Sequence, residues 1–330
     1  MMNVEALFDK FNDKRILVVG DVMIDAYLRG DVTRVSPEAP VLIVNLKKSE
    51  ERLGGAANVA LNLLSLGAEP ILCAIVGNDK GGGTFYQLLK ARDLSSEGII
   101  KSDDRHTTIK TRVIGNNQHL LRIDEEEEAV ISADLEHQLI SHVSELIANG
   151  VDAVILEDYN KGLLSPRVIS EVIALANAAG IPVTVDPKKD NFFAYKNVTL
   201  FKPNLKELKE GLGVEFDIKE GKSGFESAVV QLESKLNNSI TLVTLSEHGV
   251  FVKKQEKKDY IPAHIRRISD VSGAGDTVIA VATLCLVAEL NPSQVADISN
   301  LAGGIVCEVS GVVPIDRDQL KTEILNLMKA

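Results

Sequence analysis

Short apolar runs bounded by glycine and charged residues indicate where the strands of this chain lie. The segment Arg15-Ile-Leu-Val-Val-Gly20 and residues 71–76 are uninterrupted apolar runs, as in strands that are buried on both faces. Between them, Gly54-Gly-Ala-Ala-Asn58 opens a stretch with alanine and leucine at helical spacing, which ends at Gly67. The pattern predicts a strand, a helix and a second strand in this order.

The same alternation becomes regular in the second half of the chain. Apolar runs at residues 151–156, 181–185, 199–201 and 241–245 predict strands, and residues 166–180 carry small and apolar residues on one helical face. Strands that alternate with helices form parallel sheets with right-handed crossovers. The chain is therefore predicted to be an α/β protein with a central, mostly parallel sheet flanked by helices.

Two segments depart from this alternation. Residues from about 30 to 52 contain short apolar runs interrupted by prolines, and residues from about 105 to 123 have the pattern of a hairpin with Asn116-Asn117 as its turn. We expect both segments to pair as a small β lid on a single domain of residues 1–330. The glycines of residues 77–83 are expected to form a turn and not a phosphate site.

A glycine-rich turn leads directly into an apolar helix. The segment Asp270-Val-Ser-Gly-Ala-Gly-Asp276 precedes an apolar run over residues 278–287. Gly273 and Gly275 allow backbone N–H groups to converge on one point, and the helix N-terminus adds partial positive charge, so the turn is a candidate anion site. Asp276 would repel a phosphate there unless it acts as a base on a substrate hydroxyl. The alternative is that it merely caps the helix.

Further polar residues follow predicted strands, where open α/β sheets bind ligands. Asp21 and Asp25 come directly after the first strand, and Asn58 offers donors and an acceptor suited to sugar hydroxyls. Three lysines lie just beyond strand ends and are candidates for binding phosphate: Lys161, Lys188 and Lys202. The alternatives are a turn or helix cap for the aspartates, a packed helix start for Asn58, and ordinary surface positions for the lysines.

Composition describes an ordinary globular protein with a sizeable core. Of 330 residues, 45% are hydrophobic and 25% are charged. The net charge of −11 argues against a nucleic-acid partner, so an anionic substrate would need a local basic pocket. Cys73, Cys285 and Cys307 lie in apolar runs and are expected to be reduced core residues. With no signal-peptide core and no run of membrane-spanning length, we expect a cytoplasmic protein without a membrane partner.

Three segments in a fixed order resemble the signatures of the ribokinase (PfkB) family of sugar kinases. They are Gly54-Gly-Ala-Ala-Asn58-Val-Ala60, Asn204-Leu-Lys-Glu207 and Asp270-Val-Ser-Gly-Ala-Gly-Asp276. More narrowly, the chain resembles the bacterial D-glycero-β-D-manno-heptose 7-phosphate kinases, the N-terminal half of bifunctional heptose kinase/adenylyltransferases. The segments that carry this narrower resemblance span nearly the whole chain and include Ser36-Pro-Glu-Ala-Pro-Val41, Asn117-Gln-His-Leu-Leu-Arg122, Asp158-Tyr-Asn-Lys-Gly162 and Asp186-Pro-Lys188.

The resemblance implies a ribokinase-like fold and assigns roles to individual residues. It makes Asp276 the base, and it forms the anion hole from Gly273, Ala274 and Gly275. Residues expected to hold the sugar are Asp25, Asn58, Gly54 and Gly55, with Asp21 as a weaker candidate. Residues expected to bind the acceptor's distant phosphate are Arg122, Lys161 and Lys188.

The resemblance also implies ATP, Mg²⁺ and K⁺. Asn204 and Glu207 are expected to organise Mg²⁺ through water, since this ion keeps much of its hydration shell. Asp270 stands where relatives bind a monovalent cation. The nucleotide pocket is expected to include Asn204, Ser246, Asn300, Gly273 and Gly275. Two positions depart from the family pattern: Ser272 replaces the commoner threonine, and Glu157 stands where a small residue is expected.

The narrower resemblance implies one reaction, the ATP-dependent phosphorylation of heptose 7-phosphate at O1 in ADP-heptose and lipopolysaccharide core biosynthesis. The shared motifs determine the reaction type better than the acceptor, so another sugar or sugar phosphate (fructose 6-phosphate, fructose or ribose) is the first alternative. A non-catalytic sugar- or nucleotide-binding protein is a more distant one. The resemblance also implies a homodimer formed through the β lid. Because the chain ends soon after Val313-Pro314, we expect a stand-alone kinase with a separate adenylyltransferase.

Overall fold

The apolar runs of the sequence form the strands of two sheets. The computed structural model describes residues 3–219, 221–264 and 266–328. Its strands are β1 (Arg15–Gly20), β2 (Val22–Val35), β3 (Leu42–Gly55), β4 (Glu69–Gly77), β5 (Ile99–Ser102), β6 (Ile109–Gly115), β7 (Gln118–Glu125), β8 (Ala153–Glu157), β9 (Val183–Asp186), β10 (Leu200–Phe201), β11 (Ile240–Thr244), β12 (Val250–Lys254) and β13 (Lys257–Ile261). Its helices are α1 (Val4–Phe11), α2 (Ala56–Ser65), α3 (Lys80–Ala91), α4 (Ala133–Ala148), α5 (Pro166–Ala178), α6 (Leu205–Leu212), α7 (Ser223–Leu236), α8 (Ala274–Val287), α9 (Pro292–Val306) and α10 (Arg317–Leu327).

The larger sheet is mostly parallel. In the described residues it has nine strands, in the order β13-β12-β11-β10-β9-β8-β1-β4-β5. Neighbours from β11 to β5 pair in parallel, and β12 pairs antiparallel with both of its neighbours at one edge. The α/β architecture predicted from the alternating pattern is confirmed. The carboxyl ends of β1, β8 and β9 lie side by side, since Gly20 pairs with Glu157 and Glu157 pairs with Asp186.

Helix α8 is buried on all sides, which explains its almost uniformly apolar sequence. All residues from Asp276 to Cys285 are buried, and the helix contacts α2, α9, β8 and β9. Burial on every face is typical of a helix inside the core of a large domain. The hydroxyl groups of Thr184 on β9 and Thr283 on α8 hydrogen-bond at 2.7 Å, which satisfies both inside the core. This hydrogen bond connects the second half of α8 with β9.

The small sheet has the strand order β3-β2-β6-β7 and is attached directly to the large sheet. Strand β2 pairs antiparallel with β3 and parallel with β6, and β6 pairs antiparallel with β7. Strand β2 begins two residues after β1 ends, and α2 begins where β3 ends, so these strands are longer than the predicted segment near residues 30–52. Asn116 and Asn117, both at positive φ, form the turn between β6 and β7.

The two faces of the small sheet differ in charge. Asp25, Tyr27 and Arg29 alternate along β2 and share one face with their cross-strand neighbours Arg52 and Arg112, and we call this the charged face. The other side, the apolar face, carries four large side chains that are 46–58% exposed: Leu42, Leu46, Leu121 and Ile123.

Helix α3 differs from the expected glycine turn. Gly81 and Gly82 lie buried in its first turn, and the Asp79 side chain caps the helix by accepting a hydrogen bond from Gly82 N at 2.7 Å. A Cβ on Gly81 would lie 3.0 Å from Thr107 Cβ, and one on Gly82 would lie 2.0 Å from the Gly77 carbonyl oxygen. The glycines therefore allow close packing of a helix start.

The three cysteines behave as predicted from their apolar surroundings. Cys73, Cys285 and Cys307 are buried and free. Burial raises the pKa of the Cys73 thiol to about 12, so the group stays protonated. None of the described helices combines the length and the apolar character that crossing a bilayer requires.

Candidate active site

The turn before α8 lies at the carboxyl ends of the central strands. Gly273 has a φ of 81°, in the left-handed region that favours glycine, and α8 begins at the next residue. A Cβ on Gly273 would lie 2.9 Å from Asn58 Nδ2, and one on Gly275 would lie 3.3 Å from Asp186 Oδ2. The turn therefore packs between α2 and the end of β9. The N–H groups of the first helical turn have no partner within the helix, so the turn remains a candidate anion site.

Asp276 is buried in the first turn of α8 and is hydrogen-bonded through both oxygens. Asn58 Nδ2 donates to Oδ2 and the Tyr159 hydroxyl donates to Oδ1, each at 2.7 Å. The N-cap of α8 is Gly273, without a side-chain hydrogen bond, so the structure does not support the helix-cap alternative for Asp276. Burial raises the pKa of Asp276, whereas the hydrogen bonds from Asn58 and Tyr159 act in the opposite direction. The carboxylate is thus held in one orientation.

Three buried carboxyl groups meet at this point. Oxygens of Glu157, Asp186 and Asp276 all lie within 4.8 Å of one another. Lys202 Nζ bonds to Asp186 at 2.7 Å, and Lys188 Nζ lies 3.9 Å from the same carboxylate. Burial alone would lower the pKa of Lys202, but Asp186 and further carboxylates raise it above its ordinary value. Two charged ammonium groups therefore accompany the carboxyl cluster beside the anion site.

Asn204 and Glu207 form a capping box at the start of α6. Asn204 Oδ1 accepts a hydrogen bond from Glu207 N, and Glu207 Oε2 accepts one from Asn204 N, each at 2.8 Å. The other oxygen of Glu207 accepts a hydrogen bond from Lys188 Nζ at 2.9 Å. Both side chains are thus engaged within the protein, so a metal ion beside them would be held through water molecules.

Asp270 is a charged group beside the glycine turn. It accepts hydrogen bonds from Ser272 N at 3.0 Å and from Gly311 N at 2.9 Å. Burial raises the pKa of Asp270, but these amides and the positive charge of Arg112 outweigh it and hold the pKa below its ordinary value. An ionised carboxylate at this position has the chemistry of a ligand for a cation.

Asp25, Gly54, Gly55 and Asn58 lie around the junction of β3 and α2. A Cβ on Gly54 would lie 2.3 Å from Asp25 Oδ2, and Gly55 has a φ of 62°, so both positions require glycine. Arg112 forms an ion pair with Asp25 from the neighbouring strand β6. The residues expected to hold the sugar are therefore close together.

The Asp21 carboxylate is hydrogen-bonded to the backbone of the loop after β8. Its carboxylate accepts hydrogen bonds from the backbone N–H groups of Tyr159, Lys161 and Leu163 at 3.0–3.1 Å. Burial raises the pKa of Asp21, and these three amides act in the opposite direction. Three backbone amides thus already occupy the Asp21 carboxylate, and its expected contact with a sugar hydroxyl stays a prediction. Asp21 anchors the loop after β8 and acts on the site through Tyr159.

The three residues expected to bind the distant phosphate come from different parts of the fold: Arg122 lies on β7, Lys161 after β8 and Lys188 after β9. Lys161 Nζ is paired with two glutamates, at 2.7 and 3.0 Å. Arg122 is paired with Asp124 at 2.9 Å, and its side chain is 59% exposed. Lys188 is paired with Glu207 at 2.9 Å and lies 3.9 Å from Asp186. Each of the three is paired with an acidic group, and their expected role in binding the distant phosphate stays a prediction.

A different basic group lies on the charged face of the small sheet. Three guanidinium groups lie 5.3–5.5 Å from the centroid of the Tyr27 ring, and we call them the arginine cluster: Arg29, Arg52 and Arg112. Arg52 Nη1 also donates to the Val312 carbonyl at 3.1 Å, which connects the cluster with the segment after α9. Sequence reasoning missed these arginines because only strand pairing brings them together.

Ser246 and Asn300 lie on different elements of the fold. Ser246 is exposed in a single 3₁₀ turn after β11, and Thr244 at the end of that strand bridges to Asn204. Asn300, on α9, donates to the Pro262 carbonyl at 2.9 Å. Ser246 is thus close in the chain to a residue that pairs with Asn204, whereas Asn300 ties α9 to the segment after β13.

The fold and the site together define a class of enzyme. A glycine turn at a helix N-terminus, an oriented Asp276 and two charged lysines suit the transfer of a phosphoryl group to a hydroxyl. These groups lie at the carboxyl ends of parallel strands, where α/β enzymes bind their ligands. This class is the phosphotransferases of ribokinase-like architecture.

The family follows from the sequence. The pattern that describes the pfkB family carbohydrate kinases matches residues 13–318. The chain belongs to this family, which confirms the predicted fold and the expected class of sugar kinase. Membership implies ATP as the phosphoryl donor and a divalent metal ion that accompanies it.

Similar proteins include bacterial proteins named bifunctional protein HldE. That of Helicobacter acinonychis (strain Sheeba) is 40% identical over 293 residues, which are 89% of this chain and 62% of the relative. That of Methylobacillus flagellatus is 38% identical over 315 residues, 96% of this chain and 64% of the relative. The chain thus spans less than two thirds of these relatives. Their name describes these relatives as bifunctional, and the expectation of a separate adenylyltransferase stays a prediction for this chain.

Solved structures with the same fold are more distant in sequence. The phosphofructokinase-2 of Escherichia coli in complex with potassium has a TM-score of 0.78 at 18% identity, covering 96% of this chain and 100% of that one. The Arabidopsis thaliana ribokinase complexed with ribose and ATP has a TM-score of 0.69 at 18% identity, covering 96% and 99%. These likenesses concern the fold.

Proposed function

We propose that this chain phosphorylates D-glycero-β-D-manno-heptose 7-phosphate at its anomeric O1 with ATP and forms the 1,7-bisphosphate. The observation that carries the proposal is the buried Asp276, oriented by Asn58 and Tyr159 beside the glycine turn. The motifs of the heptose 7-phosphate kinases and the 40% identity to an HldE protein support this acceptor. The reaction would serve ADP-heptose and lipopolysaccharide core biosynthesis in the cytoplasm.

In the transfer step Asp276 takes the proton of the acceptor's anomeric hydroxyl. The hydroxyl oxygen forms a bond to the γ-phosphorus of ATP while the bond from that phosphorus to the β–γ bridging oxygen breaks, and ADP leaves with the electron pair. The backbone of Gly273, Ala274 and Gly275 directs N–H groups at the transferred group, and Lys202 adds positive charge. Positioning and charge stabilisation supply most of the catalysis in such transfers.

The Asn204 and Glu207 side chains at the start of α6 fit a divalent ion that is held through water. Asn204 and Glu207 would bind its hydration shell, and their capping box fixes both side chains. When bound, Mg²⁺ neutralises charge between the β- and γ-phosphates. Asp270, ionised and fixed by two backbone amides, is the residue that would hold K⁺ beside the turn.

The acceptor lies between the junction of β3 with α2 and the charged face of the small sheet. Asp25 and Asn58, with the backbone at Gly54 and Gly55, hold its hydroxyl groups. We assign its 7-phosphate to the arginine cluster, which shares the charged face with Asp25. Guanidinium groups match the geometry of phosphate oxygens, and the three of the cluster, of which Arg52 is also paired with Glu50 and Arg112 with Asp25, are proposed as the local basic pocket that a chain of net charge −11 needs.

The small sheet would serve both as a lid and as a dimer interface. Its charged face is directed at the acceptor, while its apolar face exposes four large side chains. Leu42 and Leu46 lie on the edge strand β3 and Leu121 and Ile123 on the opposite edge strand β7, so large exposed apolar side chains occur at both edges of this face, as in interaction surfaces. We propose that the apolar faces of two copies pack against each other.

In each copy, Ser246 and Asn300 are proposed to contribute to the nucleotide pocket.

The proposal is tested by replacing the base. Asp276→Asn keeps the size of the side chain but removes its capacity to accept a proton, so kcat should fall by about 10²–10⁴-fold. The affinity for ATP, measured by titration calorimetry, should remain close to that of the unchanged protein. Asp297→Asn, at an exposed position on α9, is the control and should leave kcat unchanged. A near-normal kcat for Asp276→Asn would exclude this residue as the base.

A further inference from the structure

Glu157 is a buried carboxyl group that the proposed reaction does not use. It is the last residue of β8 and is 1% exposed. Among the residues that the structure describes, neither of its carboxyl oxygens has a hydrogen-bond partner. The next residue is different: Asp158 is also buried, but its oxygens accept hydrogen bonds from the Tyr195 hydroxyl at 2.6 Å and from Asn160 N at 2.8 Å. A charge on Glu157 would therefore lie in the interior without the donors that stabilise a carboxylate.

Other acidic groups face Glu157 from the neighbouring elements. Oxygens of Asp186, at the end of β9, and of Asp276, in α8, lie within 4.8 Å of a Glu157 oxygen. Strand β1 covers another side, where a Cβ on Gly20 would lie 3.0 Å from Glu157 Cβ. The Tyr159 hydroxyl, on the following loop, donates to Asp276 and is not available to Glu157. Two carboxylates in such a position oppose the ionisation of a third.

The positive charges near Glu157 already have carboxylate partners. Lys202 Nζ is bonded to Asp186 at 2.7 Å, and Lys188 Nζ is bonded to Glu207 at 2.9 Å. Neither lysine forms an ion pair with Glu157. Because Asp276 has two donors and Glu157 has none, the proton within this carboxyl cluster belongs on Glu157.

We propose that Glu157 is a neutral carboxylic acid in the working enzyme and that its ionisation at alkaline pH switches phosphoryl transfer off. Once ionised, Glu157 would add a third negative charge to the cluster, beside Asp276 and Asp186 and next to the transferring phosphoryl group, which would weaken the electrostatic stabilisation of that group. This second half of the inference rests on the proposed function. Burial, followed by the charges of Asp186 and Asp276, raises the pKa of Glu157 well above its ordinary 4.5, which agrees with the geometry.

Infrared spectroscopy tests the charge state without any substrate. At pH 7, the unchanged protein should show the C=O stretching band of a protonated carboxyl group that Glu157→Gln lacks. Asp158→Asn is the matched control: burial raises the pKa of Asp158 only to about 6, so this residue is mostly ionised at pH 7 and its replacement should leave the band nearly intact. An unchanged band in Glu157→Gln would show that Glu157 is ionised and would overturn the proposal, whatever the substrate of the enzyme.

The pH profile of kcat tests the consequence for the reaction. Glutamine imitates the neutral acid, so at pH 7 the Glu157→Gln variant should keep kcat within about threefold of the unchanged enzyme, a difference below about 1 kcal/mol in barrier. The unchanged enzyme should lose activity on the alkaline side, and Glu157→Gln should not. Three results would contradict this role. They are a loss of activity in Glu157→Gln at every pH, an unchanged enzyme that loses no activity at alkaline pH, and an alkaline loss that persists in Glu157→Gln.

Discussion

Tyr159 connects the loop after β8 with Asp276, the proposed base. Its hydroxyl donates to Asp276, and Asp21 fixes the backbone of the same loop through three amides. Burial, followed by the charge of Asp276, raises the pKa of Tyr159 well above its ordinary value, so the hydroxyl stays a donor. Asp21, which was expected to bind the sugar, thus fixes the loop whose Tyr159 side chain orients Asp276.

The assignment of the acceptor's phosphate to the arginine cluster predicts a selective defect. Arg52→Ala should raise KM for heptose 7-phosphate by about 10- to 100-fold, because a charge-assisted hydrogen bond to the phosphate is lost. Phosphorylation of the heptose without its 7-phosphate should change little. The measurement is steady-state kinetics with both acceptors.

Arg122→Ala is the matched control for this variant. Arg122 is also an arginine of the small sheet, but its side chain is 59% exposed and paired with Asp124. It should leave KM for the phosphorylated acceptor nearly unchanged. Equal effects of Arg52→Ala on both acceptors, or a larger effect of Arg122→Ala, would contradict the assignment.

Single residues were predictable from the sequence where one short segment contains the whole arrangement. The glycine turn and Asp276 lie within seven residues, and the structure has the expected helix N-terminus there. The arginine cluster could not be found in this way, because Arg29, Arg52 and Arg112 come from three strands whose register is a tertiary property. The same holds for Asp21, whose three amide donors lie about 140 residues further along the chain.

At the scale of elements, helix α3 was not predicted from the sequence, and a glycine substitution tests whether it forms. Gly83 lies exposed within this helix, and a Cβ there would have nothing within 4 Å. Gly83→Ala should therefore increase the free energy of unfolding by about 0.5–1 kcal/mol, since alanine loses less conformational freedom in a helix. Chemical denaturation measures the difference.

Gly82→Ala is the control within the same helix. Its Cβ would lie 2.0 Å from the Gly77 carbonyl oxygen, so this variant should lose stability. If Gly83→Ala also lowered the free energy of unfolding, residues 80–91 would not form helix α3.

The strands of the large sheet were predictable because a strand buried on both faces leaves an uninterrupted apolar run. The boundaries of β1, β8, β9 and β11 agree with the predicted segments to within a few residues. The small sheet was harder to delimit, because β2 and β3 are half-exposed and their mixed composition hides where pairing begins. The two sheets are joined without a loop, which no local pattern indicates.

At the scale of the whole molecule, the apolar face of the small sheet predicts a dimer. Leu121→Glu together with Ile123→Glu would place two charges at the proposed interface, so the protein should elute as a monomer in size-exclusion chromatography with light scattering. Val230→Glu, on α7, is the control: Val230 is 57% exposed and lies outside the small sheet, so this variant should remain a dimer. A monomeric unchanged protein would contradict the proposed interface.

The most direct test of the proposed function is the choice of acceptor. ADP release would be measured with ATP, Mg²⁺ and K⁺ over D-glycero-β-D-manno-heptose 7-phosphate, fructose 6-phosphate, fructose and ribose. We expect the highest kcat/KM for the heptose phosphate, because it alone places an anomeric hydroxyl at Asp276 and a phosphate at the distance that the arginine cluster is proposed to span. A higher kcat/KM for any other acceptor would contradict the heptose assignment and the role of the arginine cluster.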